Sequence, residues 1–102
     1  MLVDIAYTVN GVPIRLTDER WQHIVRNKSY MQSYYEKILE TIENPTWVLR
    51  GHDGALVAVQ PLKRPNYLNV VYREISRDDG FVITAFLARK VNRSASIWRK
   101  KN

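Results

Sequence analysis

The sequence predicts an α+β domain in which an N-terminal β-hairpin and two helices pack on an antiparallel sheet of about four strands. Three observations indicate this class. Asn10-Gly11 separates two short β-rich segments, and apolar residues then recur every three or four positions in two segments between residues 18 and 43. From Thr46 onward, apolar residues instead recur at every second position, as in strands. The order of two strands, two helices and further strands is typical of α+β domains.

The hairpin is predicted to consist of residues 3–9 and residues 12–16. Both residues of Asn10-Gly11 tolerate the positive φ of a type I′ turn, which makes this dipeptide a strong hairpin signal. Pro13 has no backbone N–H and cannot donate a hydrogen bond to a neighbouring strand. We therefore expect the second strand to lie at an edge.

The first helix is predicted to begin after Thr17, whose hydroxyl can accept a hydrogen bond from the first turn. Asp18 and Glu19 place negative charge where the helix dipole favours it. The apolar stripe of this helix consists of Trp21, Ile24 and Val25. His23 lies nearly opposite that stripe, with Arg20 one turn before it. A functionless surface histidine and a catalytic histidine both fit this position.

A second helix is predicted over residues 30–43. Ser29 and Gln32 have the spacing of a capping box. Asn44-Pro45 ends the helix, because a residue before proline avoids the helical conformation. The face that we expect to lie on the sheet contains Met31, Tyr34, Tyr35, Ile38, Leu39 and Ile42.

Four strands are predicted after the helices, over residues 47–50, 55–60, 67–75 and 81–89. In the last strand, alternation places Thr84 on one face with Val82 and Phe86, and Ile83 on the other face with Phe81 and Ala85. Thr84 is either an ordinary β-branched strand residue or the polar residue of a site.

The positive charge is concentrated near the C-terminus. The chain has 16 Lys and Arg against 10 Asp and Glu, and the whole net charge of +6 lies in residues 89–102. Such a segment suits a polyanion such as nucleic acid, although a solvated tail is the simpler interpretation. Trp98 lies between Arg93 and Arg99 in sequence, and an indole can stack on an unpaired base. Docking of the segment on the core through Ile97 and Trp98 is an equal alternative.

Composition and motifs exclude several classes of function. The absence of cysteine excludes disulfides and thiolate chemistry, and no apolar run approaches the length of a bilayer span. The histidines and acidic residues lack the spacing of metal ligands, and no glycine-rich phosphate loop or nucleophilic triad motif is present. We therefore predict no metal or cofactor. We expect residues 1–102 to form a single cytoplasmic domain with no targeting segment and no membrane association.

Four segments then combine into one pattern: residues 16–24, 41–45, 67–72 and 80–86. The most specific parts are Glu19-Arg20-Trp21 followed by His23-Ile24, and Ile83-Thr84-Ala85-Phe86. The pattern resembles the phage-type branch of the BECR nucleases, the group that unites barnase, EndoU, colicin and RelE type folds. The resemblance covers roughly residues 14–99 and agrees with the predicted order of elements.

This resemblance implies a small metal-independent ribonuclease, often a toxin encoded with an inhibitor protein. Such cleavage requires a base for the 2′-hydroxyl proton, an acid for the leaving 5′-oxygen and cations for the charge that develops on the phosphate. The residues that we expect to act in catalysis are Arg20, His23, Tyr72 and Thr84. The residues that we expect to bind RNA are Lys63, Arg73, Arg89, Arg93, Trp98 and Arg99.

Three functions are consistent with the sequence. The first is an RNA-cleaving toxin of a toxin-antitoxin pair, the second is a non-catalytic RNA-binding or protein-interaction module on the same fold, and the third is a basic protein whose main partner is an acidic inhibitor. Only the enzyme should lose activity on His23→Ala while it keeps its RNA affinity. A binding module should respond chiefly to salt and to the loss of Arg89, Arg93 or Arg99.

Overall fold

The computed structural model describes residues 3–101. Its helices and strands are β1 (Val3–Tyr7), β2 (Pro13–Thr17), α1 (Asp18–Asn27), α2 (Tyr35–Glu43), β3 (Trp47–Arg50), β4 (Leu56–Pro61), β5 (Tyr67–Ser76), β6 (Asp79–Ala88) and β7 (Ser96–Arg99). Short 3-10 helices span Ser29–Tyr34, His52–Gly54 and Arg93–Ala95. The predicted α+β class, with an N-terminal hairpin and two α-helices, is confirmed.

The predicted size of the sheet is wrong. Within the described residues one sheet has seven strands, in the order β1-β2-β6-β5-β4-β3-β7, instead of about four. The hairpin joins the sheet because β2 runs parallel to β6 and pairs with it at Arg15 and Phe81, so the sheet is mixed and not antiparallel as predicted. At the other edge, β7 pairs with β3. Both additions depend on pairing between distant segments, which local alternation does not specify.

The expectation that β2 lies at an edge is also wrong, since β2 lies between β1 and β6. Pro13 lies opposite Tyr7 of β1, and β2 pairs with β6 only at Arg15. Pro13 is tolerated because β6 requires no backbone N–H from it. The hairpin turn is not type I′. Gly11 has φ of +79° and its N–H donates to the Thr8 carbonyl over 2.9 Å, whereas Asn10 keeps a negative φ.

Helix α1 begins as predicted, because the Thr17 hydroxyl accepts a hydrogen bond from the Arg20 N–H over 3.1 Å. The predicted capping box of the second helix is wrong. A 3-10 helix over Ser29–Tyr34 precedes α2, and neither of these two helices has a side-chain cap. The predicted end of α2 is confirmed, since the helix stops at Glu43.

Both α-helices pack on one face of the sheet and form the main core with it. Trp21 of α1 and Tyr35 of α2 meet edge to face, with ring centroids 4.9 Å apart. The Tyr35 hydroxyl donates a hydrogen bond to the Asp4 carboxylate of β1. Burial is the main cause that raises the pKa of Tyr35 to about 12, and this hydrogen bond is the second cause. The fully buried core residues from the helical segments are Ile24, Met31, Ile38 and Ile42, and those from β4 to β6 include Ala58, Leu68, Val70 and Ala85.

The opposite face of the sheet, which we call the open face, carries the strand residues that point away from the two helices. A bulge in β6 changes the predicted alternation there: Val82 pairs with Tyr72 and Thr84 pairs with Val71, so Ile83 has no partner between them. Val82 therefore faces the helices, and the prediction that it shares a face with Thr84 is wrong. The register places Trp47, Val59, Tyr67, Asn69, Val71, Thr84 and Phe86 on the open face.

Candidate nucleic-acid interface

Two aromatic rings and one guanidinium meet at one end of the open face. The ring centroids of Trp47 and Tyr67 lie 6.1 Å apart at an angle of 57°. Val59 lies directly opposite Trp47 on β4 and is fully buried. The Arg93 guanidinium carbon lies 4.8 Å from the centroid of the Trp47 ring, which is cation–π geometry. Both rings are half-buried, so each keeps surface exposed to solvent.

Strand β7 adds cations beside Trp47. Arg99 pairs with Trp47 across β3 and β7, so both side chains lie on the open face. The Lys100 N–H donates to the Thr46 carbonyl over 2.9 Å, which fixes the chain beyond β7 against the start of β3. A cleft of about 750 Å³ is lined here by Thr46, Trp47, Arg93, Arg99, Lys100 and Lys101.

A second cleft, of about 370 Å³, lies beside the Tyr67 ring. Its lining includes Arg64 from the loop between β4 and β5, and Arg89, which directly follows β6. The contact between Trp47 and Tyr67 joins the two clefts. We call the combined region the basic aromatic surface; it contains Trp47, Arg64, Tyr67, Arg89, Arg93, Arg99, Lys100 and Lys101.

The cations of the basic aromatic surface have no carboxylate partners among residues 3–101. The two ion pairs in this part of the chain are Arg15 with Asp79 and Lys37 with Glu40, and neither touches the surface. Unpaired cations at the rim of a cleft produce a positive potential that attracts phosphate groups. The arrangement therefore places aromatic rings and unpaired cations side by side, the two features with which proteins commonly bind single-stranded nucleic acid.

His23 lies on a different surface from these two clefts. It is exposed on α1 and lines a shallow pocket of about 540 Å³, which we call the His23 pocket. The other lining residues are Thr17, Asp18, Glu19, Arg20, Gln22 and Arg26. Arg20 and His23 are thus brought together, as expected for a pair acting at one site. The Asn27 amide nitrogen lies 3.3 Å from Nε2 of His23.

Thr84 lies on the open face near the C-terminal end of α1. The Lys28 ammonium donates a hydrogen bond to the Thr84 hydroxyl over 3.2 Å, and both side chains are half-buried. Lys28 directly follows Asn27, which contacts His23. Among the described residues, the two predicted catalytic residues His23 and Thr84 do not contact each other. They contact two consecutive residues at the end of α1, Asn27 and Lys28.

The other predicted site residues are dispersed. Tyr72 faces the helices and is 1% exposed, and burial raises its pKa, so its side chain does not present a hydroxyl on the open face. Trp98 pairs with Val48, which places it on the face opposite Trp47. Arg73 packs against the turn at Gly54, where a Cβ would lie 3.2 Å from its Nη1.

The RNA-binding candidates divide in the same way. Arg93 and Arg99 line the first cleft and Arg89 lines the second, so these three belong to one surface. Lys63 is exposed in the adjacent loop between β4 and β5, next to Arg64. Arg73 lies near the other end of β5 and outside both clefts.

Trp47, Tyr67 and Lys28 were missed from the sequence, and three cations of the two clefts, Arg64, Lys100 and Lys101, were also left out. Each aromatic residue is the first residue of a strand, where the alternation pattern alone gives it no special role. The contact between Lys28 and Thr84 joins residues 56 positions apart. The sequence does offer one indication for Trp47. Its strand and the basic C-terminal segment are both short and β-rich, so pairing between them would place cations beside Trp47.

No family model matches this chain, and neither a curated protein nor a solved structure is significantly similar to it. Within residues 3–101, no three His, Asp or Glu side chains are grouped so that they could hold a metal ion. None of the described helices is long and apolar enough to cross a membrane.

Proposed function

We propose that the protein is a small ribonuclease that holds single-stranded RNA on the basic aromatic surface. The observation that carries this proposal is the grouping of Arg93, Trp47 and Tyr67 among cations without carboxylate partners in the described residues. Aromatic rings and arginine guanidinium planes stack on unpaired bases, and arginine and lysine also contact the phosphates between them. A duplex keeps its bases stacked inside the helix, so the surface favours single strands.

The cleavage step is proposed from the BECR resemblance together with the His23 pocket. A base takes the proton of the 2′-hydroxyl, the 2′-oxygen bonds to phosphorus, and the bond from phosphorus to the 5′-oxygen breaks as an acid protonates that oxygen. In this proposal His23 exchanges one of these protons, and Arg20, which lines the same pocket, stabilises the charge on the phosphate. Tyr72 is not part of the proposed site, because it is buried under the helices.

The second candidate is a non-catalytic RNA-binding module. It is favoured by one observation: the basic aromatic surface and the His23 pocket share no lining residue. In that case the same surface binds RNA, and His23 is an ordinary exposed histidine.

The proposed partners and setting follow from the same surface. An acidic protein could cover these cations in place of RNA, and the resemblance implies such an inhibitor as the antitoxin of a toxin-antitoxin pair. We therefore propose that the protein is the toxin of such a pair and acts on RNA in the cytoplasm, without a metal or cofactor.

The deciding experiment is cleavage of a mixed RNA substrate in excess EDTA by the wild type, His23→Ala and His52→Ala. His52 is the matched control, since it is also an exposed histidine but lies in the turn between β3 and β4. We expect the wild type and His52→Ala to cleave, and His23→Ala to be slower by about 10²-fold or more at unchanged RNA affinity. Circular dichroism establishes that each variant is folded.

Two results would contradict the ribonuclease proposal. Equal cleavage by wild type and His23→Ala would remove His23 from the mechanism. RNA binding without cleavage by the folded wild type, with and without metal ions, would favour the non-catalytic module. A matching DNA strand is the substrate control, because it lacks the attacking 2′-hydroxyl.

A further inference from the structure

Lys28 is a cation outside both the basic aromatic surface and the His23 pocket. It directly follows α1, and its backbone N–H closes the helix on the Ile24 carbonyl over 2.9 Å. Its side chain takes no part in that cap and instead donates to the Thr84 hydroxyl over 3.2 Å. No carboxylate among residues 3–101 forms an ion pair with it. The charge of Lys28 is therefore held in place but not neutralised.

The position of Thr84 places this charge along the same face as the stacking rings. Thr84, Phe86 and Ala88 follow one another on the open face of β6, and Ala88 pairs with Tyr67. At about 3.3 Å per residue, Thr84 lies roughly 13 Å along the strand from Ala88. A nucleic-acid strand that leaves Tyr67 along β6 thus passes Phe86 and reaches Thr84.

The chemistry of the pair suits a phosphate group. A lysine ammonium has three N–H donors, of which Thr84 occupies one. The threonine hydroxyl accepts that bond and so holds the ammonium group in position. Two donors and a full positive charge are therefore available to one anion, and charged donors form the stronger hydrogen bonds to phosphate.

We propose that Lys28, positioned by Thr84, binds a backbone phosphate of the RNA strand held by Trp47 and Tyr67. The inference rests on the proposed function and deepens it by adding a phosphate site away from the stacking rings.

The test measures the affinity of a single-stranded 2′-O-methyl oligonucleotide, which has no attacking hydroxyl, across a range of salt concentrations. Lys28→Met removes the charge and keeps an apolar stem, Lys28→Arg keeps the charge, and Lys37→Met is the control on α2. We expect Lys28→Met to reduce the slope of log K against log salt by about 0.7, the value for one phosphate contact on a single strand. Lys28→Arg and Lys37→Met should keep the wild-type slope.

Thr84→Val tests whether the threonine acts through Lys28. This variant retains the side-chain shape and loses the hydroxyl, so it should weaken binding when Lys28 is present and change nothing in Lys28→Met. Such non-additivity is the signature of a positioning residue, whereas a merely structural threonine would give additive losses. Thermal unfolding of every variant establishes that the fold is retained.

The outcomes separate this inference from the proposed function. An unchanged slope in Lys28→Met, with wild-type binding that depends on Trp47, would overturn the Lys28 site and leave the RNA-binding surface in place. Absence of oligonucleotide binding by the folded wild type would overturn both. A reduced slope in Lys28→Met, retained in Lys28→Arg, supports the site whether or not the enzyme cleaves.

Discussion

The basic aromatic surface and the His23 pocket differ in how their side chains are held. The first draws its residues from the ends of several strands and the adjoining loops, and its rings are fixed by sheet register over the buried Val59. The second consists of side chains from one helix and its cap, and includes the carboxylates of Asp18 and Glu19. Rigid platforms suit binding, whereas an exposed histidine suits proton exchange. Affinity for RNA and the chemistry of cleavage should therefore be separable by mutation.

The largest expected effect on binding comes from Trp47→Ala. Loss of one stacking platform costs about 1–3 kcal/mol, or roughly 5-fold to 150-fold in affinity for single-stranded RNA. Fluorescence anisotropy with a labelled oligonucleotide measures this change. Trp47→Phe is the control, because it keeps a ring on the surface and should retain most of the affinity. Cleavage at saturating RNA should change little, since the variant leaves the His23 pocket intact.

Equal affinities of wild type and folded Trp47→Ala would place the RNA elsewhere on the molecule. The separation of RNA affinity from cleavage would also be contradicted if Trp47→Ala slowed cleavage at saturating RNA as strongly as His23→Ala does. In that case one site would carry both functions.

A smaller effect is expected from single charges, and Arg99→Gln and Arg26→Gln form a matched pair. Arg99 lies beside Trp47 on the open face, whereas Arg26 lines the His23 pocket. Arg99→Gln should weaken binding and reduce the salt slope by about 0.7 through loss of one phosphate contact. Arg26→Gln should leave affinity and slope at their wild-type values. An equal response of the two variants would show that the cations of the His23 pocket contribute as much to affinity as those of the basic aromatic surface.

Local signals predicted the α1 region well. Thr17 caps the helix, Ile24 is buried, and His23 is exposed, all as the helical spacing indicates. These features depend on residues three or four positions apart in one helix, so a short stretch of sequence is enough to predict them. The same locality explains why Arg20 and His23 were expected together and line one pocket.

The basic aromatic surface required information that local patterns lack. The pairing of β7 with β3 brings Arg99 to Trp47, and the pairing of β4 with both β3 and β5 brings Trp47 and Tyr67 together across β4. The bulge at Ile83 similarly decides that Val82 and Thr84 point to opposite faces. A bulge inserts one extra residue into a strand and so reverses which face the following residues occupy. The amino-acid composition of β6 does not reveal the bulge, which is why strict alternation placed Val82 on the wrong face.

The smallest expected effect is that of Thr17→Ala on the stability of α1. The variant removes the hydrogen bond from the Arg20 N–H to the cap, which should lower the free energy of unfolding by about 1 kcal/mol. Urea denaturation measures the loss, and Thr17→Ser is the control because its hydroxyl can still cap the helix. RNA affinity should stay unchanged, since no part of the cap touches the basic aromatic surface. A fall in affinity with the fold intact would instead mean that the N-terminal turn of α1 contributes to binding, and the separation of affinity from chemistry would then hold only for the stacking rings.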